Sequence, residues 1–462
     1  MPQAVRGWLW ILVCATALRA ADPPKPELPA AVRPIITAAR SAAPELLADT
    51  IVRLVEGGQI PSRELQVDLL SEAFGAATRA SQPVKLAAIP GTPGSARAAY
   101  VSRAGELNLD ALSLGARVLK ALVTVDRAKA RALFQGVLHP ALAARNCEDP
   151  LVADASAYYE IAGLIAQSAF SEQEKKDHQH AQFMLAALAG AQSPNELGAF
   201  ARALESVSWT PEEWELLISG LAEKFGAIRA DYRPFALSAP VLLPELDFLT
   251  KIAQGYGLDQ DTIRKQFRQY LVTQMTGARC SENLDDAETA VKWFNADFRR
   301  DLKPISEEEM QPSKRGGGIK TGDYFRSSEA TQMEEEFRQL RMASLGVAGK
   351  GAPAVDTGAL LASILRDFAT WQPEGSALDV FHQRATVLFG LFHQMNGAER
   401  EKLRASCIAF LESSAVEQQN YPEWLIEVKT LVDSADTDRM ELLQAFRASG
   451  DPGLSLFTIF PH

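Results

Sequence analysis

Apolar positions recur along most of this chain at helical spacing. Leu46, Leu47, Ile51, Leu54 and Val55 form one stripe that stops at Gly57-Gly58. After Pro61-Ser62 a second stripe carries Leu65, Leu69, Leu70, Phe74 and Ala77. Apolar residues at i, i+3, i+4 and i+7 build one buried helix face, so the two runs predict an αα-hairpin closed by a short glycine turn. Residues 89–95 (IPGTPGS) break the pattern, and residues 109–123 and 127–138 repeat it around Thr124-Val125-Asp126, with Asp126 placed to cap the second helix.

Helix-start signals sharpen the reading. Ser171–Glu174, Ser193–Glu196, Thr210–Glu213 and Ser306–Glu309 each fit the S/T-x-x-E capping box, in which hydroxyl and carboxylate satisfy each other's backbone amides. Pro194 and Pro211 follow two of the caps at the first helical position, where a missing N–H costs nothing. Period-2 alternation is almost absent, and residues 454–460 (LSLFTIF) are the best strand candidate. The predicted fold class is all-α, built of antiparallel helical hairpins. Ser171 to Thr210 is 39 positions, the length of a HEAT-like or slightly long TPR-like two-helix repeat, so an α-solenoid is expected, with an (α/α) toroid as runner-up.

Two composition shifts divide the chain. Residues 8–17 (WLWILVCATA) carry no charge, follow Arg6, and run into small residues and then Asp22-Pro23-Pro24. That is the layout of a secretory signal peptide over 1–20, too short to span a bilayer, and it predicts a periplasmic or extracellular protein without stable membrane insertion. Residues 304–357 hold an acidic run, Glu307-Glu308-Glu309, and two glycine-rich stretches, 312–318 and 346–358, flanking one acidic-basic helix near 328–344. This segment is expected to link an N-terminal helical-hairpin domain, 21–303, to a C-terminal helical domain, 358–462.

Charge and cysteine usage then narrow the function classes. With 47 Lys+Arg against 58 Asp+Glu the formal net charge is -11, which opposes dedicated nucleic-acid binding. Beyond Cys14 in the leader stand Cys147, Cys280 and Cys407. Cys147 (ARNCEDPL) and Cys280 (ARCSENL) share a turn context of Arg, Cys and acidic residue before a leucine, whereas Cys407 lies on an apolar helical face. In an oxidising compartment Cys147 and Cys280 are the candidate disulfide, with free thiols as the alternative. Being 133 positions apart, they would meet only if the array curls back, so the bridge and an open solenoid compete.

Motifs for chemistry are mostly missing. The stretch Gly316-Gly317-Gly318-Ile319-Lys320-Thr321 lacks the glycine before lysine and the preceding strand of a phosphate loop, and reads as linker. On a continuous helix His178 and His180 would point about 200° apart, and His382 and His393 would sit about 16 Å apart along the axis, so neither pair shares an ion. The carboxylates around Asp433, Asp436 and Asp438 lack the register of a calcium loop and read as the start of a helix. No zinc pattern, nucleophile elbow or cofactor fingerprint appears, so no catalytic, metal or cofactor residues are assigned. The best functional expectation is a helical scaffold that binds a protein or peptide partner. A toroid enzyme acting on polysaccharide through paired carboxylates, or a carrier of hydrophobic ligands, is the alternative; Trp209, Trp214, Trp293, Trp371 and Trp424 sit at helix starts or on apolar faces, as core residues do.

Overall fold

Capping chemistry sets many of the helix starts. The computed structural model describes residues 27–88, 96–135, 151–228, 232–276, 284–310, 328–344, 356–395, 397–415, 421–433, 435 and 439–459, and these are predominantly helical with two three-residue strands. The first helices are α1 (Arg33–Arg40), α2 (Pro44–Glu56), α3 (Arg63–Ala77), α4 (Ala96–Glu106), α5 (Ala111–Val125) and α6 (Arg127–Phe134). The α2–α3 hairpin turns at Gly58, whose φ of 67° is a conformation that glycine adopts without strain, and Ser62 caps α3 by accepting the Leu65 amide. Asp126 ends α5 and caps α6 by accepting the Lys129 amide.

Next come α7 (Ser156–Ser168), α8 (Glu172–Lys176), α9 (Gln179–Ala189), α10 (Pro194–Glu205), α11 (Pro211–Ala227), α12 (Tyr232–Tyr256), α13 (Asp261–Thr276) and α14 (Leu284–Trp293), the last running into a π-helical turn, Phe294–Phe298. The capping boxes of α8, α10 and α11 are all present. The fourth box also forms, since Ser306 N donates to Glu309 at 3.1 Å, but it opens only the 3-10 turn Glu308–Met310. The last helices are α15 (Ser328–Ser344), α16 (Thr357–Thr370), α17 (Ala377–Gln394), α18 (Gly397–Ala415), α19 (Tyr421–Asp433), α20 (Arg439–Ala448) and α21 (Pro452–Phe457). A fifth box, Ser376 with Asp379, starts α17. Its acid is one methylene shorter than the glutamate of the usual pattern.

One expectation about strands is corrected. Residues 454–457 are helical, because Asp451 accepts the Leu454 amide at 2.8 Å and Pro452 occupies the first turn. Among the described residues the strands are β1 (Leu86–Ala88) and β2 (Leu151–Ala153), an antiparallel pair with Ala87 opposite Val152. Three residues each and distant in sequence, they leave no alternation long enough to see.

The helices pack in two interleaved series. In one, α3 lies on α5, α5 on α7, α7 on α10, α10 on α12 and α12 on α14; in the other, α9 lies on α11 and α11 on α13. Small residues allow the close approaches: a Cβ on Gly163 of α7 would come within 3.1 Å of the Ala203 carbonyl on α10. The C-terminal helices pack on the start of the chain, α19 against α4 and α21 against α1. Buried polar contacts fix this junction. Tyr421 N donates to Ser81 Oγ at 3.0 Å, Tyr100 Oη donates to the Glu423 carbonyl at 2.7 Å, and Gln82 donates to the Glu423 carboxylate. The Tyr100 ring also stacks on His382, with centroids 3.8 Å apart. One apolar core runs from Val32 to Phe457, with Trp424, Phe200, Phe225 and Phe267 fully buried within it. Among the described residues no helix is long and apolar enough to cross a membrane.

Candidate functional site

The β1–β2 ladder does more than join two loops. Asp154 N donates to the Lys85 carbonyl at 3.0 Å, extending the pairing and holding Lys85 beside the start of α7. Lys85 Nζ then reaches Asn108 Oδ1 at 3.0 Å and Asp154 Oδ2 at 3.4 Å. From this corner a cleft of about 590 Å³ crosses the faces of α5, α7 and α10. Helix α5 contributes Ser113, Ala116, Arg117 and Lys120, one stripe at i, i+3, i+4 and i+7. Helix α7 contributes Ala157, Glu160, Ile161, Leu164 and Gln167, and α10 adds Arg202 and Ala203, with Ser206 at its C-cap. Alanines and short aliphatics form the floor, with cations and amides around them.

Buried carboxylates hold the arginines. The Asp49 side chain is only 2% exposed, and it accepts from Arg53 Nε at 2.7 Å and from Arg117 Nη1 at 2.6 Å. Buried Glu245 on α12 accepts from Arg202 Nε at 3.1 Å. A carboxylate out of water is tolerated only when charged donors replace the lost hydration, so Asp49 and Glu245 fix the positions of the two guanidinium groups. Burial alone would raise the Asp154 pKa, but its hydrogen bonds from Ser156 and the Lys85 ammonium outweigh burial and hold it below the usual carboxylate range. Asp110, which caps α5, goes the other way: burial raises it despite the Ser113 amide. Lys120 is exposed and its ammonium makes no ion pair or hydrogen bond among the described residues.

A second polar cluster corrects the expectation about His178 and His180. Helix does not run through this segment. His178 takes a left-handed conformation, φ 55°, between α8 and α9. The break redirects the first imidazole so that His178 Nδ1 and His180 Nε2 converge on Glu213 Oε1, at 2.9 and 3.3 Å. The other oxygen of Glu213 accepts the Thr210 amide in the α11 capping box. His180 is buried and stacks on Trp209 with centroids 5.1 Å apart, and its Nδ1 has no hydrogen-bond partner among the described residues. Burial lowers the His180 pKa against the pull of Glu213. For Glu213 burial acts upward, yet the Thr210 amide and both imidazoles bring it below the usual range. The cluster ties the α8–α9 corner to α11. Among the described residues no group of three or more His, Cys, Asp or Glu is placed to hold a metal ion.

Other sequence candidates fall elsewhere. Cys147, Cys280, the glycine-rich stretch 316–321 and residues 1–20, where a signal peptide is expected, lie outside the described residues, as do Asp436 and Asp438. Cys407 is a buried free thiol whose pKa is pushed up by burial and by Glu427. Trp209, Trp214, Trp371 and Trp424 are buried, and Trp293 is partly so. No protein-family model matches the chain, and no curated protein or solved structure shows significant similarity to it. The cleft is therefore read from its own residues. Its cations escape a sequence reading because Lys85, Arg117, Lys120 and Arg202 resemble ordinary solvated charges. The one visible signal is on α5 (ALSLGARVLKALVTV), where Ser113, Arg117 and Lys120 line up on a single face of an otherwise apolar helix.

Proposed function

We propose that this chain is an exported helical scaffold that binds a protein or peptide segment in the cleft across α5, α7 and α10. The observation that carries the reading is the cleft itself. Its volume of about 590 Å³ lies within the ~300–1,000 Å³ of pockets that hold small molecules, enough for a few side chains of a peptide, and it combines a small-residue floor with a few convergent polar groups. Helices of one series lying side by side are the arrangement in which stacked hairpins present a continuous groove, as in an α-solenoid. The packing of α19 on α4 and of α21 on α1 favours a second architectural reading, a helical ring closed by its ends. Export with removal of residues 1–20, and a division of the chain at 304–357, belong to the same proposal and rest on sequence.

A random heptapeptide display selection tests the binding function. The immobilised protein should enrich a consensus, and Ser206→Trp, which adds an indole at an exposed rim position of the cleft, should abolish its capture while leaving the thermal melt unchanged. No enrichment on the wild-type protein, or capture indifferent to Ser206→Trp, would refute it.

A further inference from the structure

We infer that the cleft selects an acidic ligand: an extended peptide segment carrying carboxylates, bound between Lys120 on α5 and Arg202 on α10. The inference rests on the scaffold reading above and names the chemistry of its partner. A chain with net charge -11 would repel an acidic segment over most of its surface. This cleft is different: among its described lining residues four cations, Lys85, Arg117, Lys120 and Arg202, stand against the one carboxylate of Glu160.

Carboxylates behind the lining offset part of that charge, since Lys85 pairs with Asp154, Arg117 with Asp49 and Arg202 with Glu245, but they do not use up the donors. Arg117 gives Nη1 to Asp49 and Arg202 gives Nε to Glu245, so each guanidinium keeps N–H donors without an acceptor among the described residues. These donors are held in place by carboxylates that are themselves buried, which spares a ligand much of the cost of ordering long side chains. Lys120 makes no ion pair or hydrogen bond among the described residues. Gln167 adds an exposed amide to the lining, while Ser113, Ser156 and Asn108 are tied to Asp110, Asp154 and Lys85.

Geometry sets the length of the ligand. Packed helices stand ~8–10 Å apart, so α5 to α10 by way of α7 spans roughly 16–20 Å, or about five or six residues of extended chain at ~3.3 Å each. Side chains of such a segment alternate between the cleft and solvent. Carboxylates at alternate positions would therefore meet successive cations, and a guanidinium can take a carboxylate by two parallel hydrogen bonds.

Fluorescence anisotropy with two labelled hexapeptides tests this, Glu-Gly-Asp-Gly-Glu-Gly and Lys-Gly-Lys-Gly-Lys-Gly. The acidic peptide should bind, more weakly as salt rises, and the basic one should not. Lys120→Glu, at an exposed position that tolerates the change, should weaken acidic-peptide binding by about tenfold. Lys292→Glu, on exposed surface of α14, should leave it unchanged. Equal binding of both peptides, or no response to Lys120→Glu, overturns the inference, as does displacement of the acidic peptide by an equal concentration of succinate, which would make the cleft a small-carboxylate site. A display consensus that is cleft-dependent but not acidic removes the ligand class and leaves the scaffold standing; no cleft-dependent peptide of any kind removes both.

Discussion

Asp49→Ala is the substitution that most directly probes how the cleft is built. Asp49 is buried on α2 and accepts from Arg53 Nε at 2.7 Å and Arg117 Nη1 at 2.6 Å. Hydrogen bonds to charged groups contribute about 1.5–3 kcal/mol each, and breaking a fully buried pair costs about 3–5 kcal/mol. The guanidinium side chains are 33% and 29% exposed, so both can regain water when the carboxylate goes, and the expected loss is discounted to about 2 kcal/mol. Asp49→Asn keeps one acceptor oxygen and should cost about half as much, or about 1 kcal/mol. If the surrounding helices melt as a unit of ~150–250 residues, 2 kcal/mol lowers Tm by about 4–8 °C. Differential scanning fluorimetry on wild type, Asp49→Ala and Asp49→Asn measures the series, with Arg117→Met closing a double-mutant cycle. Wild-type melting of Asp49→Ala, or exact additivity with Arg117→Met, would refute the claim that this buried carboxylate anchors Arg117.

Three further outcomes are expected. Gly453→Ala should destabilise the junction of α21 with α19, since its Cβ would lie 2.7 Å from Tyr421 Oη and 3.2 Å from Trp424; a lower melting temperature checks this, and an unchanged one contradicts it. Acidification should destabilise the protein through His180 and Glu213. The folded His180 lies below the usual imidazole value of about 6.5, so its neutral form contributes stability that falls away as pH drops from about 6.5 through its folded pKa. Glu213, also lowered, adds a loss as pH drops from about 4.3 through its own. The fall below pH ~6.5 should be shallower in His180→Phe, and an identical pH profile would contradict the assignment. Non-reducing peptide mapping should yield a linked Cys147–Cys280 peptide if the oxidised bridge forms, and free thiols at both positions would remove it.

Local chemistry is what the sequence displays most clearly. Ser62, Asp126, Ser171 and Thr210 each cap a helix because a short oxygen-bearing side chain meets the free amides of the first turn, an interaction completed within four residues. Where the outcome depends on more distant partners, the sequence is silent. His178 leaves the helix with Glu213, 35 positions away, accepting both imidazoles. The β1–β2 pairing joins residues 67 apart at Leu86 and Ala153, and it is this pairing that delivers Lys85 to the cleft. Arg117 and Arg202 are drawn from separate helices and fixed by Asp49 and Glu245 on two others. Residues 454–457 show the same contest resolved locally, since the Asp451 cap and Pro452 start a helix in a stretch whose side chains suit a strand.

Hydrogen–deuterium exchange with the acidic hexapeptide bound tests the central claim, that the cleft across three helices is where this protein meets its partner. Protection should rise together in 113–120 on α5, 156–167 on α7 and 202–206 at the end of α10, and stay unchanged on α16 to α18. Protection confined to the C-terminal helices, or none at a saturating peptide concentration, would contradict it.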